Sequence, residues 1–134
     1  MPITYQEEPE LSIHDFCSVL YASTLAARRP VDDKPRLGQM IAHADIILTA
    51  RDGQKIVGVS RAITDFSYCC YLSDLAVDAV YQKQGIGKKL IEETHRIAGH
   101  GTSLILLSAP AAASYYPRIG MKSVENGWVI PRKE

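Results

Sequence analysis

The feature that most restricts what this chain can fold into runs from Ser73 to Lys89. Ser73-Asp74-Leu75-Ala76-Val77 is an apolar-weighted segment bounded by turn residues, which reads as a strand. After Asp78 to Tyr81 it empties into Gln82-Lys83-Gln84-Gly85-Ile86-Gly87, a loop with two glycines. A helical pattern follows at once, with Ile86, Leu90, Ile91, Thr94, Ile97 and Ala98 on one face. Helix N-termini carry partial positive charge and normally collect Asp or Glu. This one collects Lys83, Lys88 and Lys89. Cations at that end fit an anion held on free backbone N–H groups, which glycines allow to approach because they lack a Cβ. An ordinary strand-to-helix turn with solvated lysines fits the same residues. The stretch is not Walker A, and it lacks the third glycine of the dinucleotide fingerprint.

At 134 residues the chain is expected to form one domain, and it is long enough to bury about two-thirds of its unfolded surface without disulfide staples. Fifteen basic and fifteen acidic residues cancel, which argues against a general nucleic-acid binder. Cys17, Cys69 and Cys70 are odd in number and show no ligand spacing, so they read as reduced thiols and no metal is assigned. Met1 to Glu10 is polar and acidic, unlike a signal peptide, and no apolar run approaches the roughly 18 residues of a membrane span. The expected location is the cytoplasm, with no membrane and no nucleic acid among the partners.

The remaining elements follow from local signals. Ile3-Thr4-Tyr5-Gln6 alternates as a short strand, and Ser12-Ile13-His14-Asp15 resembles a capping box opening a helix with Phe16, Cys17 and Leu20 inward. A proline-punctuated loop over Ala27 to Pro35 leads to a short helix ending near His43. Ile46 to Ala50 and Lys55 to Ile63 flank Arg51-Asp52-Gly53-Gln54, a hairpin signal. A third strand, Tyr68 to Val77, completes an antiparallel meander into the glycine loop. The long helix stops near Gly99, and the apolar run Ser103 to Ser108 reads as a buried strand parallel to its predecessor. A short helix opens at Pro110, and Met121 to Ile130, with Asn126-Gly127 inside it, reads as the last strand region. The order is β-α-α-β-β-β-α-β-α-β, an α+β domain with one mixed sheet.

Two motifs carry a family resemblance. Gln82-x-x-Gly85-x-Gly87, after a strand ending Leu75-Ala76-Val77, resembles the acyl-CoA motif of the GNAT-type N-acetyltransferases, Gln/Arg-x-x-Gly-x-Gly/Ala. Tyr115-Tyr116-Pro117-Arg118-Ile119-Gly120-Met121 resembles the aromatic-Tyr-x-x-x-Gly-Phe segment that closes the family's cofactor cleft. The resemblance implies a single GNAT-like N-acetyltransferase domain over residues 1–134, with a mixed, mostly antiparallel sheet of six to seven strands and about four helices. It implies acetyl-CoA as co-substrate. Backbone amides of Lys83, Gln84, Gly85, Ile86, Gly87 and Lys88 would cradle its pyrophosphate, with Gln82 ordering the loop's start. Leu75, Ala76 and Val77 would pair with the pantetheine arm as if it were an added strand, and an N–H near Leu75 would face the thioester oxygen.

The same resemblance places Tyr116 at the family's tyrosine position. An unperturbed tyrosine near 10 lies above a thiol near 8.5, so full proton transfer to the thiolate is uphill by about 2 kcal/mol, whereas a hydrogen bond to the developing charge meets no such obstacle. A ring packed on the sheet is the bland alternative for Tyr116. Asp74 is the carboxylate beside the cleft, open to three readings: proton acceptor, ligand of the acceptor's ammonium, or satisfied structural carboxylate. Arg28 and Arg29 border the region where an acceptor would lie, or are simply solvated. Ala109 stands where many members have Asn, and Met121 where the usual residue is Phe. The implied activity is acetyl transfer to a primary amine of a small molecule or protein by direct attack in a ternary complex. A catalytically silent CoA-binding sensor on the same scaffold is the alternative, and a homodimer through an exposed sheet edge is left open.

Overall fold

A computed structural model describes residues 2–134. Its frame is the meander. β2 (Ile46–Asp52) and β3 (Lys55–Thr64) pair antiparallel up to Asp52 opposite Lys55, leaving Gly53-Gln54 as a two-residue hairpin loop. β4 (Cys69–Val77) returns antiparallel to β3. Its turn is tied by Asp65 Oδ1, which accepts the N–H groups of Ser67, Tyr68 and Cys69 at 2.9, 2.8 and 3.1 Å. Those backbone donors hold the Asp65 carboxyl down at about 2. β1 (Ile3–Glu7) lines the other edge of β2, and β5 (Ser103–Ile105) pairs parallel with β4, giving the order β1-β2-β3-β4-β5.

Helices cover both faces because each carries one apolar stripe. On one face α1 (Ile13–Ala22) and α2 (Lys34–Ala42) bury Phe16, Leu20 and Leu37 against Ile47, Val59 and Ala76. On the other, α3 (Ile86–Ala98) buries Ile86, Leu90 and Ala98 against Ile46, Leu48 and Leu72. Ser12 caps α1 by accepting the Asp15 N–H at 3.0 Å, as its sequence signature suggests. The fourth helix, α4 (Tyr115–Arg118), is a single turn after a 3-10 turn at Pro110–Ala112. Among the described residues no helix is long and apolar enough to cross a membrane.

Among the described residues the architecture is α+β with four helices and a mixed five-stranded sheet, not the six to seven strands the resemblance implies. β5 stops at Ile105 rather than Ser108, and no strand forms over Met121 to Ile130. A strand exists only through its neighbours' hydrogen bonds. Beyond Ile105 the chain heads into the turn at Pro110, and residues 122–134 lie exposed without a ladder partner among the described residues.

The start of the chain is fastened by charge. Glu8 accepts from Arg51 Nε at 2.7 Å and Arg51 Nη2 at 2.9 Å, and from the Thr49 hydroxyl; Arg51 Nη2 also reaches Asp15 at 3.1 Å. The Arg51 guanidinium holds the Glu8 carboxyl below its ordinary value of 4.5, against the opposing push of burial. A carboxyl depressed by folding contributes stability above its unfolded pKa and loses it as pH falls through the folded one. The melting temperature of the protein is therefore expected to drop below about pH 4.5, and Glu8→Gln to flatten that drop while lowering the neutral plateau. Parallel acid limbs in the two proteins would show that Glu8 plays no part.

Candidate active site

The site is organised by an irregularity in β4. Arg61 on β3 faces Asp74, but the next residue, Ala62, faces Leu72, so Ser73 is an extra residue bulged out of the ladder. Bulges raise local twist and re-aim the side chains beyond them. Cys70 and Leu72 point to the α3 face; past the bulge Leu75 and Val77 take over that face, while Asp74 and Ala76 turn to the α1–α2 face. β4 also parts from β5 here. The parallel ladder runs through Cys69–Ser103, Cys70–Leu104 and Tyr71–Ile105 and then ends. From Leu72 to Val77 the main chain presents that edge to no other strand among the described residues.

Two arginines pin the bulge. Asp74 is fully buried; its Oδ1 accepts from Arg29 Nε and its Oδ2 from Arg61 Nε. Arg29 Nη2 also donates to the Ser73 carbonyl at 2.8 Å, and Arg61 Nη2 to the Ser73 hydroxyl at 3.0 Å. Arg29 follows a 3-10 turn at Leu25–Arg28, so the loop between α1 and α2 is clasped to the bulged strand. Arg28, by contrast, is exposed. With both oxygens engaged, Asp74 could take a proton only by giving up a guanidinium.

At the far end of β4, Gln82 Nε2 donates to the Val77 carbonyl at 3.2 Å and so ties the loop back to the strand. Lys83 and Gly85 adopt left-handed φ of 67° and 80°, and no side chain caps the first turn of α3, which contains no acidic residue. Alternating handedness of this kind turns successive N–H groups to one side, a concavity suited to an anion. A Cβ on Gly87 would lie 2.7 Å from the Tyr115 hydroxyl, so that side chain would have to swing away. That hydroxyl engages the Lys88 amide, which partly offsets the upward push of burial on Tyr115.

Tyr116 is half-buried and packs against the core on the α3 side, which Leu75 and Val77 also flank, its ring edge-on to Tyr115 at 5.2 Å. Burial pushes its hydroxyl above 10, with Tyr115 adding to the shift, so it stays a donor throughout the physiological range. The structure thus gathers Leu75, Ala76, Val77, the Gln82–Lys88 loop and Tyr116 around one end of β4, and sets the Asp74 carboxylate on the opposite face. Sequence reasoning missed the two arginine partners and the Tyr115 hydroxyl on α3. Arg61 carries a partial signal, since a turn centred on Ser67 brings it opposite Ser73, one residue short of Asp74; Arg29, 45 residues from Asp74, carries none. His14 is exposed, and His95 Nε2 donates to the Thr102 carbonyl at 2.8 Å near the end of α3, away from the cleft.

A family model described as the acetyltransferase (GNAT) domain matches residues 43–122, from the start of the meander to the end of the Tyr116 segment. The chain belongs to the GNAT acetyltransferase family. Solved structures share the fold of this GNAT domain over its whole length. A GNAT-family acetyltransferase from Streptococcus pneumoniae superposes with TM-score 0.78 at 23% identity, covering 99% of this chain and 100% of that one. A probable acetyltransferase from methicillin-resistant Staphylococcus aureus gives 0.79 at 17%, covering 98% and 100%. An aminoglycoside N-acetyltransferase solved in complex with CoA gives 0.76 at 15%, covering 98% and 95%. A search of curated protein sequences returns no match.

Proposed function

We propose that this GNAT domain moves an acetyl group from acetyl-CoA to a primary amine, on a small molecule or a protein, by direct attack in a ternary complex. The observation that carries the reading is the unpaired edge of β4 from Leu72 to Val77, running straight into an uncapped helix N-terminus behind a left-handed glycine loop. An extended arm with amide groups adds to such an edge as a strand, and its phosphates reach the N–H groups of Lys83 to Lys88. The CoA complex of the aminoglycoside N-acetyltransferase, which shares the fold, supports the same ligand here.

In this reading the main chain of Leu75, Ala76 and Val77 holds the arm, and an N–H near Leu75 donates to the thioester oxygen as it gains charge. Gln82 keeps the loop's start against Val77. The Tyr116 hydroxyl donates a hydrogen bond to the departing thiolate; its raised pKa makes outright proton transfer less favourable and leaves donation intact. Asp74 is a positioning residue, holding Arg29 and Arg61 on the bulge that opens the cleft. It is the one carboxylate on β4, so the amine's proton leaves through water. The reaction belongs in the cytoplasm, where acetyl-CoA coexists with reduced thiols such as exposed Cys69.

Thermal unfolding with acetyl-CoA, CoA and ATP tests the cofactor assignment. Ligand at about 100 times its dissociation constant stabilises by roughly 2.7 kcal/mol, a rise of several degrees for a domain this size. Both CoA species are expected to give that rise and ATP little. No rise with either CoA species would remove the assignment, and a rise without acetylation of any amine in a broad panel would favour the silent sensor.

A further inference from the structure

The turn that feeds the glycine loop is gripped by the β2–β3 hairpin. After β4 the chain makes a 3-10 turn over Ala79–Tyr81. Asp78 starts it: its N–H donates to the Val57 carbonyl at 2.8 Å, and its buried carboxylate accepts the Val80 N–H at 2.9 Å. Tyr81 ends it, one residue before Gln82, with its N–H on the Asp78 carbonyl at 2.8 Å. The Tyr81 ring packs on the α3-side core, and its hydroxyl donates to Asp52 Oδ2 at 2.6 Å. Lys55, paired with Asp52 across the hairpin, has its ammonium 5.2 Å from the centre of that ring and 3.7 Å from Asp78. Both residues that close the hairpin therefore reach the turn. Lys55 is the weaker hold, since its side chain is 60% exposed and its charge is screened by water.

Two features fit a role beyond folding. Carboxylates repel the phosphates that a loop of this shape receives, yet Asp52 faces the turn leading into it, and its one side-chain hydrogen bond among the described residues comes from Tyr81. Asp52, with burial adding, pushes the Tyr81 hydroxyl above its ordinary value of 10, so the proton stays on Tyr81. Two residues further on, Lys83 holds its left-handed φ of 67°. A side chain in that region is strained and persists only where its surroundings fix it. We propose, resting on the acetyl-CoA reading, that Tyr81 held by Asp52 is a positioning residue that fixes the entry of the Gln82–Lys88 loop in the shape that receives a diphosphate. A loop in that shape for only part of the time binds more weakly by the same fraction. The clasp acts on affinity and leaves the chemistry to Tyr116 and the open edge of β4.

Calorimetric titration with CoA and acetyl-CoA, on the wild type first, reads the effect. Tyr81→Phe is expected to raise both dissociation constants about tenfold, the scale of one hydrogen bond to a charged group. KM for acetyl-CoA should rise in step while kcat holds. The melting temperature without ligand should barely move, because the turn opens locally without unfolding the sheet. Asp52→Ala should give the same rise, the double variant no more than either alone, and Asp52→Asn, which keeps an acceptor, should retain most of the affinity. A bond that only supports the fold gives the reverse: a lower melting temperature without ligand and unchanged dissociation constants. That result overturns the clasp, and so do rises that add in the double variant. A wild type that binds neither CoA species removes the acetyl-CoA reading and the clasp with it. Wild-type binding matched by Tyr81→Phe removes the clasp alone.

Discussion

Asp74→Ala is expected to cost about 3–5 kcal/mol of folding stability, the amount typical when one partner of a buried ion pair is removed and the other stays. Here two partners stay. The Arg29 and Arg61 side chains are 21% and 10% exposed, and each would be left with a guanidinium facing a void where the carboxylate had been. The bulge at Ser73 would lose its brace, since both arginines reach it from their positions on Asp74. Domains of this size hold about 5–15 kcal/mol in all, so the variant sits near the threshold of folding. Urea unfolding at neutral pH measures the loss directly. A cost under about 1 kcal/mol with abolished acetyl transfer would reverse the reading, marking Asp74 as unpaired in solution and available to take the amine's proton.

Tyr116→Phe tests the other half of the site. Removing one hydrogen-bond donor from a developing charge typically lowers kcat by about a hundredfold, and that is the expected loss here. KM for acetyl-CoA and the melting temperature should change little, because the ring keeps its packing against the α3-side core. The wild-type rate should not fall through titration of Tyr116 at mildly alkaline pH, since burial keeps that hydroxyl protonated. Tyr115→Phe is the control: it gives up contact with the Lys88 amide and keeps the Tyr116 hydroxyl, which burial alone still pushes up. Equal rates for wild type and Tyr116→Phe would assign Tyr116 to packing alone.

What the sequence makes legible is whatever local chemistry fixes. Asp52-Gly53 encodes its hairpin, Ser12 its helix cap, and the period of Ile86, Leu90 and Ile91 the face of α3, because each depends on residues a few positions apart. The count of strands is not of that kind. Trp128-Val129-Ile130 has the composition of a strand, yet composition supplies no neighbour to pair with. Asp74 illustrates the same limit within the site. Its place on the strand ahead of the glycine loop is legible, but its face and its chemistry depend on Arg29, which the α1–α2 loop brings from a distant part of the chain. The Ser73 bulge then decides which face each residue of β4 meets, and a one-residue slip of that sort leaves no trace in an alternating pattern.

The open run of β4 is built of main-chain groups, and that makes it hard to erase. Exchanging Leu75 or Val77 for another residue alters bulk on the α3 face but leaves the N–H and C=O groups of the edge in place. Only proline deletes a rung, by removing a donor. Side-chain drift along this strand can therefore reshape what lies above the cleft while its hydrogen-bonding rail persists, so the part of the site with the fewest special residues is the part most tolerant of mutation.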